Sequence, residues 1–233
     1  MRDIVLGGTS GIGFATVASA LSARHQVVAV GRDARKFAAV EALGASTHQL
    51  DATDFQATRA FFSACDPFDH LVICASGGSG AGSFRELNLD DLRKGFEGKF
   101  WPQMQCAQAA LKTISTTGSI TFVGAISSRA MQPGTAGLAA INAAIEAMVP
   151  VLASELRPLR VNAVVPGVVD TPWWSRMPED AKNRLFDDMA KRVPVGRVGR
   201  PEDIADAILF VASNTFVTGS IIDCDGGWKL RNN

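Results

Sequence analysis

The sequence predicts an α/β fold: a doubly wound, seven-stranded parallel sheet with helices on both faces. Three observations carry that expectation. Seven short runs, DIVLG, HQVVAVG, STHQLD, FDHLVICA, GSITFVG, LRVNAVV and GSIIDCD, are each bounded by turn residues. Most are apolar throughout instead of alternating, which suits strands buried on both faces. Longer stretches of helical spacing separate them, as connections between parallel strands require.

At 233 residues the chain has the length of one compact α/β domain, taken as residues 1–233. The connection over 166–200 is long and rich in Pro, Gly and Trp, and the segment at about 168–200 is expected to form a substrate lid. Lys plus Arg and Asp plus Glu are equal at 23 each, so no net field favours nucleic acid or an anionic membrane. No uninterrupted apolar run reaches the ~18 residues of a membrane span, and MRDIVLGG lacks the zones of a signal peptide. The expectation is a cytoplasmic protein with a small-molecule partner. Cys65, Cys74, Cys106 and Cys224 are isolated, without metal-ligand or disulfide spacing, and are expected to be buried thiols with no metal site.

The first strand runs into GGTSGIG, residues 7–13, and then into a helical stretch. Gly7 allows the tight exit from the strand, Gly11 lets the backbone approach a pyrophosphate, and Gly13 lets the helix pack on the sheet. With Thr9, Ser10 and Ile12 they form a cradle at a helix N-terminus, where an anion is favoured. At the end of strand two, VVAVGRD presents Arg32 where a carboxylate would read a ribose hydroxyl. Arginine accommodates a 2′-phosphate, so NADP(H) is favoured over NAD(H), although Asp33 could still serve a ribose. Asp51, closing STHQLD, could meet an adenine amino group or cap the helix beginning near Asp54. His25, His48 and His70 flank strands two to four and read as structural or surface histidines.

From end to end the chain resembles the short-chain dehydrogenase/reductase family. The resemblance is carried by GGTSGIG, by VICASG at the position of an Asn-Asn-Ala-Gly motif, by LRVNAVVPGVVDTP, and by VGRVGRPEDIADAILFVAS followed by TGSIIDCDGG. It implies a Rossmann-type sheet and a nicotinamide cofactor touched by Ala75, Pro166, Gly167, Val169 and Thr171. It also implies a homodimer or homotetramer built on the helices around 88–113 and 134–156.

The family's catalytic Asn, Ser, Tyr and Lys fall here on Lys99, Ala125, Leu138 and Asn142, and the chain contains no tyrosine. Hydride delivery to a carbonyl develops negative charge on oxygen, which a proton or a preorganised donor must meet. Leucine and alanine supply neither. Lysine and asparagine stand exchanged, so the expectation is Lys99 as electrostatic anchor or proton donor and Asn142 as holder of the ribose or a relay water. Ser127 and Ser128 are reserve hydroxyls. Trp173, Trp174, Met177 and Phe186 in the lid suggest an apolar carbonyl substrate. The alternative is a catalytically silent NADP(H)-binding sensor or scaffold.

Overall fold

The computed structural model describes residues 1–230. Its strands are β1 (Arg2–Leu6), β2 (Gln26–Gly31), β3 (Ser46–Gln49), β4 (Phe68–Ile73), β5 (Ile114–Val123), β6 (Arg160–Pro166) and β7 (Ile221–Cys224). All pairings are parallel, in the order β3-β2-β1-β4-β5-β6-β7. The helices are α1 (Gly11–Ser22), α2 (Phe37–Glu41), α3 (Phe55–Ala64), α4 (Leu89–Gly95), α5 (Trp101–Ala110), α6 (Ala136–Glu155), α7 (Glu179–Arg192) and α8 (Pro201–Ser213).

Strand side chains alternate between faces, so a strand covered on both sides must be apolar at every position. In β1, Ile4 and Leu6 join one core with Phe62 of α3, Cys106 of α5 and Ile145 and Val149 of α6. Val5 between them joins the opposite core with Val17 of α1 and Ile204 and Ile208 of α8. Each fully buried side chain of this size contributes roughly 1.5–3 kcal/mol. β1 lies between β2 and β4, where the strand order reverses, and ligands bind at the carboxyl ends beside such a point.

The structure corrects several expectations. The connection over 166–200 is not irregular throughout: it holds a 3-10 turn (Pro172–Arg176) and the helix α7. Only Cys106 is buried outright; Cys65, Cys74 and Cys224 are half-buried, and all four are free. The span-length argument also needs amendment, because α6 is long and apolar enough to cross a membrane by length and composition. Its buried face includes Asn142 and Glu146 and packs over β6, as the core helix of a doubly wound fold does. His70 is buried and bonds Ser119 at 2.9 Å, and His25 meets the buried Asp3 at 2.7 Å, both structural roles.

Candidate active site

Between α4 and α5 the helix widens into a π turn, Phe96–Phe100, and Lys99 comes off that turn. Such turns re-aim side chains that a regular helix would direct elsewhere. Lys99 is 7% exposed. Its Nζ donates to the Gly124 carbonyl at 3.1 Å, past the end of β5, and to Asn142 Oδ1 at 2.8 Å, across on α6. An ammonium can only donate, so Asn142 must turn its oxygen to Lys99 and its nitrogen away. That nitrogen donates to Ser127 Oγ at 3.0 Å and to the Leu138 carbonyl at 2.9 Å. Both amide hydrogens of Asn142 are thereby used within the protein, which leaves none for a ribose or a relay water. Ser127 accepts from Asn142, so its own proton is free to point elsewhere.

Burial pushes the Lys99 ammonium down to about 8, with Cys74 and the Glu146 carboxylate drawing it back upward. Cys74 stands beside it with its thiol pushed up to about 12 by burial, so it carries no thiolate near neutrality. Gln103, one turn beyond Lys99, donates to the carbonyls of Ala75 at 3.0 Å and Val123 at 3.1 Å. It ties the exits of β4 and β5 together beneath the lysine.

Ser128 does not share the role of Ser127. Its hydroxyl donates to Glu146 Oε1 at 2.5 Å and to the Ala125 carbonyl at 3.3 Å. Glu146 also accepts from Arg129, at 2.6 Å through a terminal nitrogen and 3.1 Å through Nε. Arg129 reaches on to Asp223 at 2.6 Å, and Asp223 pairs with Lys229. This chain of charges was missed in the sequence, although one signal stood there: Glu146 follows Asn142 by a helical turn on an apolar face, and a buried carboxylate requires a partner.

Ser127 lines a cleft of about 840 Å3 whose walls include Phe84, Arg85, Met131, Gln132 and Pro133. Two walls come from the loops after β4 and β5, and the third from the start of α6.

The glycine cradle lies at the carboxyl end of β1. A Cβ on Gly13 would stand 2.1 Å from the Gly7 carbonyl oxygen, so only glycine lets α1 start this close to the strand. Gly11 has φ +54° and faces Thr171, whose Cβ would lie 3.3 Å from an added carbon. Ser10 precedes α1 without a capping hydrogen bond, and the first turn of α1 has no acid. Ile12 begins that turn, and Thr9 packs its side chain over Gly31 at the end of β2. Pro166 ends β6, Gly167 donates to the Cys224 carbonyl at 3.1 Å, and Val169 pairs with Gly199 in an isolated bridge.

Asp33 is committed to Arg35, through 2.8 and 3.0 Å bonds, and the guanidinium holds its carboxyl below the usual range. Arg32 is exposed and has no ion-pair partner among the described residues. Asp51 folds onto Thr53, accepting from its amide at 3.0 Å and its hydroxyl at 2.8 Å, which lowers its carboxyl pKa. The cap of α3 is Asp54, accepting from Ala57 at 2.9 Å. In the lid region Trp174 donates to the Val169 carbonyl at 2.9 Å and meets Trp173 and Phe186 edge to face.

A family model described as enoyl-(acyl carrier protein) reductase matches residues 7–229, nearly the whole chain. A curated relative, cis-4-hydroxycyclohexanecarboxylate dehydrogenase of Sinomonas cyclohexanicum, is 33% identical over 97% of this chain and 95% of its own. The chain belongs to the short-chain dehydrogenase/reductase family. Among solved members of this oxidoreductase family, a small-chain dehydrogenase in complex with NADPH superposes with a TM-score of 0.87 at 33% identity, covering 99% of both chains. Another is the apo short-chain oxidoreductase from Pseudomonas aeruginosa PAO1, described as containing an atypical catalytic center. It is 30% identical, with a TM-score of 0.87, over 97% of this chain and 96% of its own. No group of three or more His, Cys, Asp or Glu side chains is arranged to hold a metal among the described residues.

Proposed function

We propose that this protein is an NADP(H)-dependent reductase of an apolar carbonyl compound, working through Lys99, Asn142 and Ser127 in place of the family's tyrosine-centred set. The observation that carries this reading is the continuous chain Lys99–Asn142–Ser127, which starts at a buried ammonium and ends in an open cleft.

The residues present fit a dinucleotide. Gly7 and Gly13, where an added Cβ would strike the backbone of Cys74 and of Gly7, let the strand, the turn and α1 close tightly, so that the N–H groups of Ser10, Ile12 and their neighbours offer a helix start to a pyrophosphate. Arg32 is available for a 2′-phosphate, with Thr9 behind it against Gly31. Asp51 borders the adenine end. Ala75, Pro166, Gly167, Val169 and Thr171 border the nicotinamide half, and the aromatic lid over 168–200 excludes water. When bound, the reduced nicotinamide supplies a hydride.

Ser127 then donates its hydroxyl to the substrate carbonyl oxygen, whose carbon takes the hydride as the C=O pair becomes an alkoxide. Asn142 holds the hydroxyl in that orientation. The Lys99 charge polarises the chain of bonds, which strengthen one another in a site of low dielectric. Ser127 passes its proton to the alkoxide and regains one from solvent in the open cleft, while the Lys99 ammonium, present below its depressed pKa of about 8, stays charged as the electrostatic anchor. The protein acts in the cytoplasm as a homodimer or homotetramer, a state supported by the exposed Trp101 of α5 and Val151 of α6.

The test is NADPH oxidation against aldehydes, apolar ketones, diketones and quinones, with NADH alongside. Turnover that prefers NADPH supports the reading. Tight NADPH binding with no turnover across the panel would favour a cofactor sensor instead.

A further inference from the structure

The cleft over Ser127 is lined largely by apolar groups: Phe84 and Met131, which are 79% and 76% exposed, face Pro133 and Ala139. Among its lining residues one carries a formal charge, Arg85, and no carboxylate lines the cleft. Arg85 is exposed and has no hydrogen-bond or ion-pair partner among the described residues. Its neighbour Glu86 lies outside the lining and uses its backbone N–H on Ser83. An unpaired guanidinium in the wall of a cleft that otherwise offers apolar side chains, hydroxyls and one amide, and no carboxylate, is a bidentate site for a carboxylate. The hydroxyl of Ser127 lines the same cleft, so one molecule can meet both.

We infer that the substrate is an apolar keto acid: its carbonyl meets Ser127 and its carboxylate is held by Arg85. This rests on the reductase reading for the carbonyl, while recognition of the carboxylate stands by itself. Arg85, in the cleft wall, is a specificity residue, while Lys99 lies outside that lining.

The test separates the two. Binding is measured by calorimetry in the presence of NADPH with two unreactive probes, 4-ethylbenzoate and 4-ethylbenzamide, on the wild type, Arg85→Gln and Arg85→Lys. The expected result is tighter binding of the benzoate by the wild type, a loss of roughly tenfold or more in Arg85→Gln as the charged bonds are removed, and partial recovery in Arg85→Lys. The benzamide should be indifferent to both changes. Equal binding of the two probes by the wild type, no binding of either, or a benzoate affinity unchanged in Arg85→Gln would overturn the inference. Turnover is then compared for 4-acetylbenzoate and its methyl ester. With the reductase reading intact, Arg85→Gln raises KM for the acid and leaves kcat and the ester unchanged. Benzoate binding through Arg85 with no oxidation of NADPH by either ketone would remove the reductase reading and leave the carboxylate site standing.

Discussion

The Lys99 ammonium and the Asn142 side-chain carbonyl meet at 2.8 Å across two helices that approach the site from different sides. The contact joins the π turn before α5 to α6. With its oxygen on Lys99, Asn142 turns its amide nitrogen toward Ser127 at 3.0 Å. One amide thereby links the buried ammonium to a hydroxyl in the cleft wall.

The depressed pKa of Lys99 sets a pH dependence. Reduction needs the ammonium, which is present below about 8 and is lost as the pH rises through that value. The rate of carbonyl reduction at saturating NADPH should be level on the acid side and fall about tenfold per pH unit on the alkaline side. A pH profile of kcat checks this.

Asn142→Leu should remove one acceptor of a buried ammonium and the orientation of Ser127 together. The expected costs are about 1–3 kcal/mol of stability and a loss of turnover of roughly tenfold or more. Losing a bond to its charged form also lowers the Lys99 pKa further, so the alkaline limb of any remaining activity moves toward acid pH. Denaturant unfolding and a pH profile of the variant read the two effects separately.

Arg129→Met should destabilise the protein. It leaves Glu146 and Asp223 without their shared guanidinium, and Glu146 is a carboxylate of 9% side-chain exposure. Breaking a fully buried pair costs about 3–5 kcal/mol. Arg129 keeps 33% of its side chain exposed, so a smaller loss, about 2–3 kcal/mol, is expected in urea unfolding.

Arg32→Glu should shift the choice of cofactor. A carboxylate at this position repels a 2′-phosphate and accepts from a ribose hydroxyl, so Kd for NADPH should rise about tenfold or more while NADH binding holds or improves. Fluorescence titration with the two cofactors measures it.

All seven strands were legible in the sequence, because runs such as VVAVG and LVICA must bury both faces and admit few polar residues. The helix α7 was legible but not anticipated: EDAKNRLFDDMAKR has acids in its first turn, bases in its last and Ala181, Leu185 and Met189 four apart, yet the flanking Pro, Gly and Trp drew attention to a lid. Residue spacing placed the glycine turn before α1 and singled out Lys99 and Asn142, which the fold brings within 2.8 Å. It could not carry the Glu146–Arg129–Asp223 chain, whose members lie 17 and 94 residues apart and meet only through the sheet. Asp51 and Asp54 could not be told apart either, since either carboxylate reaches a backbone N–H and only the start of α3 decides which one caps it.

The central claim is that Lys99 takes the place of the missing tyrosine. Its most direct test is the single-turnover rate of NADPH oxidation with a reducible ketone, measured for the wild type and Lys99→Met at NADPH concentrations that saturate each. The account predicts NADPH affinity within about twofold of wild type and a rate lower by ~10² to 10³. An unchanged rate in Lys99→Met would contradict it and remove Lys99 from the mechanism.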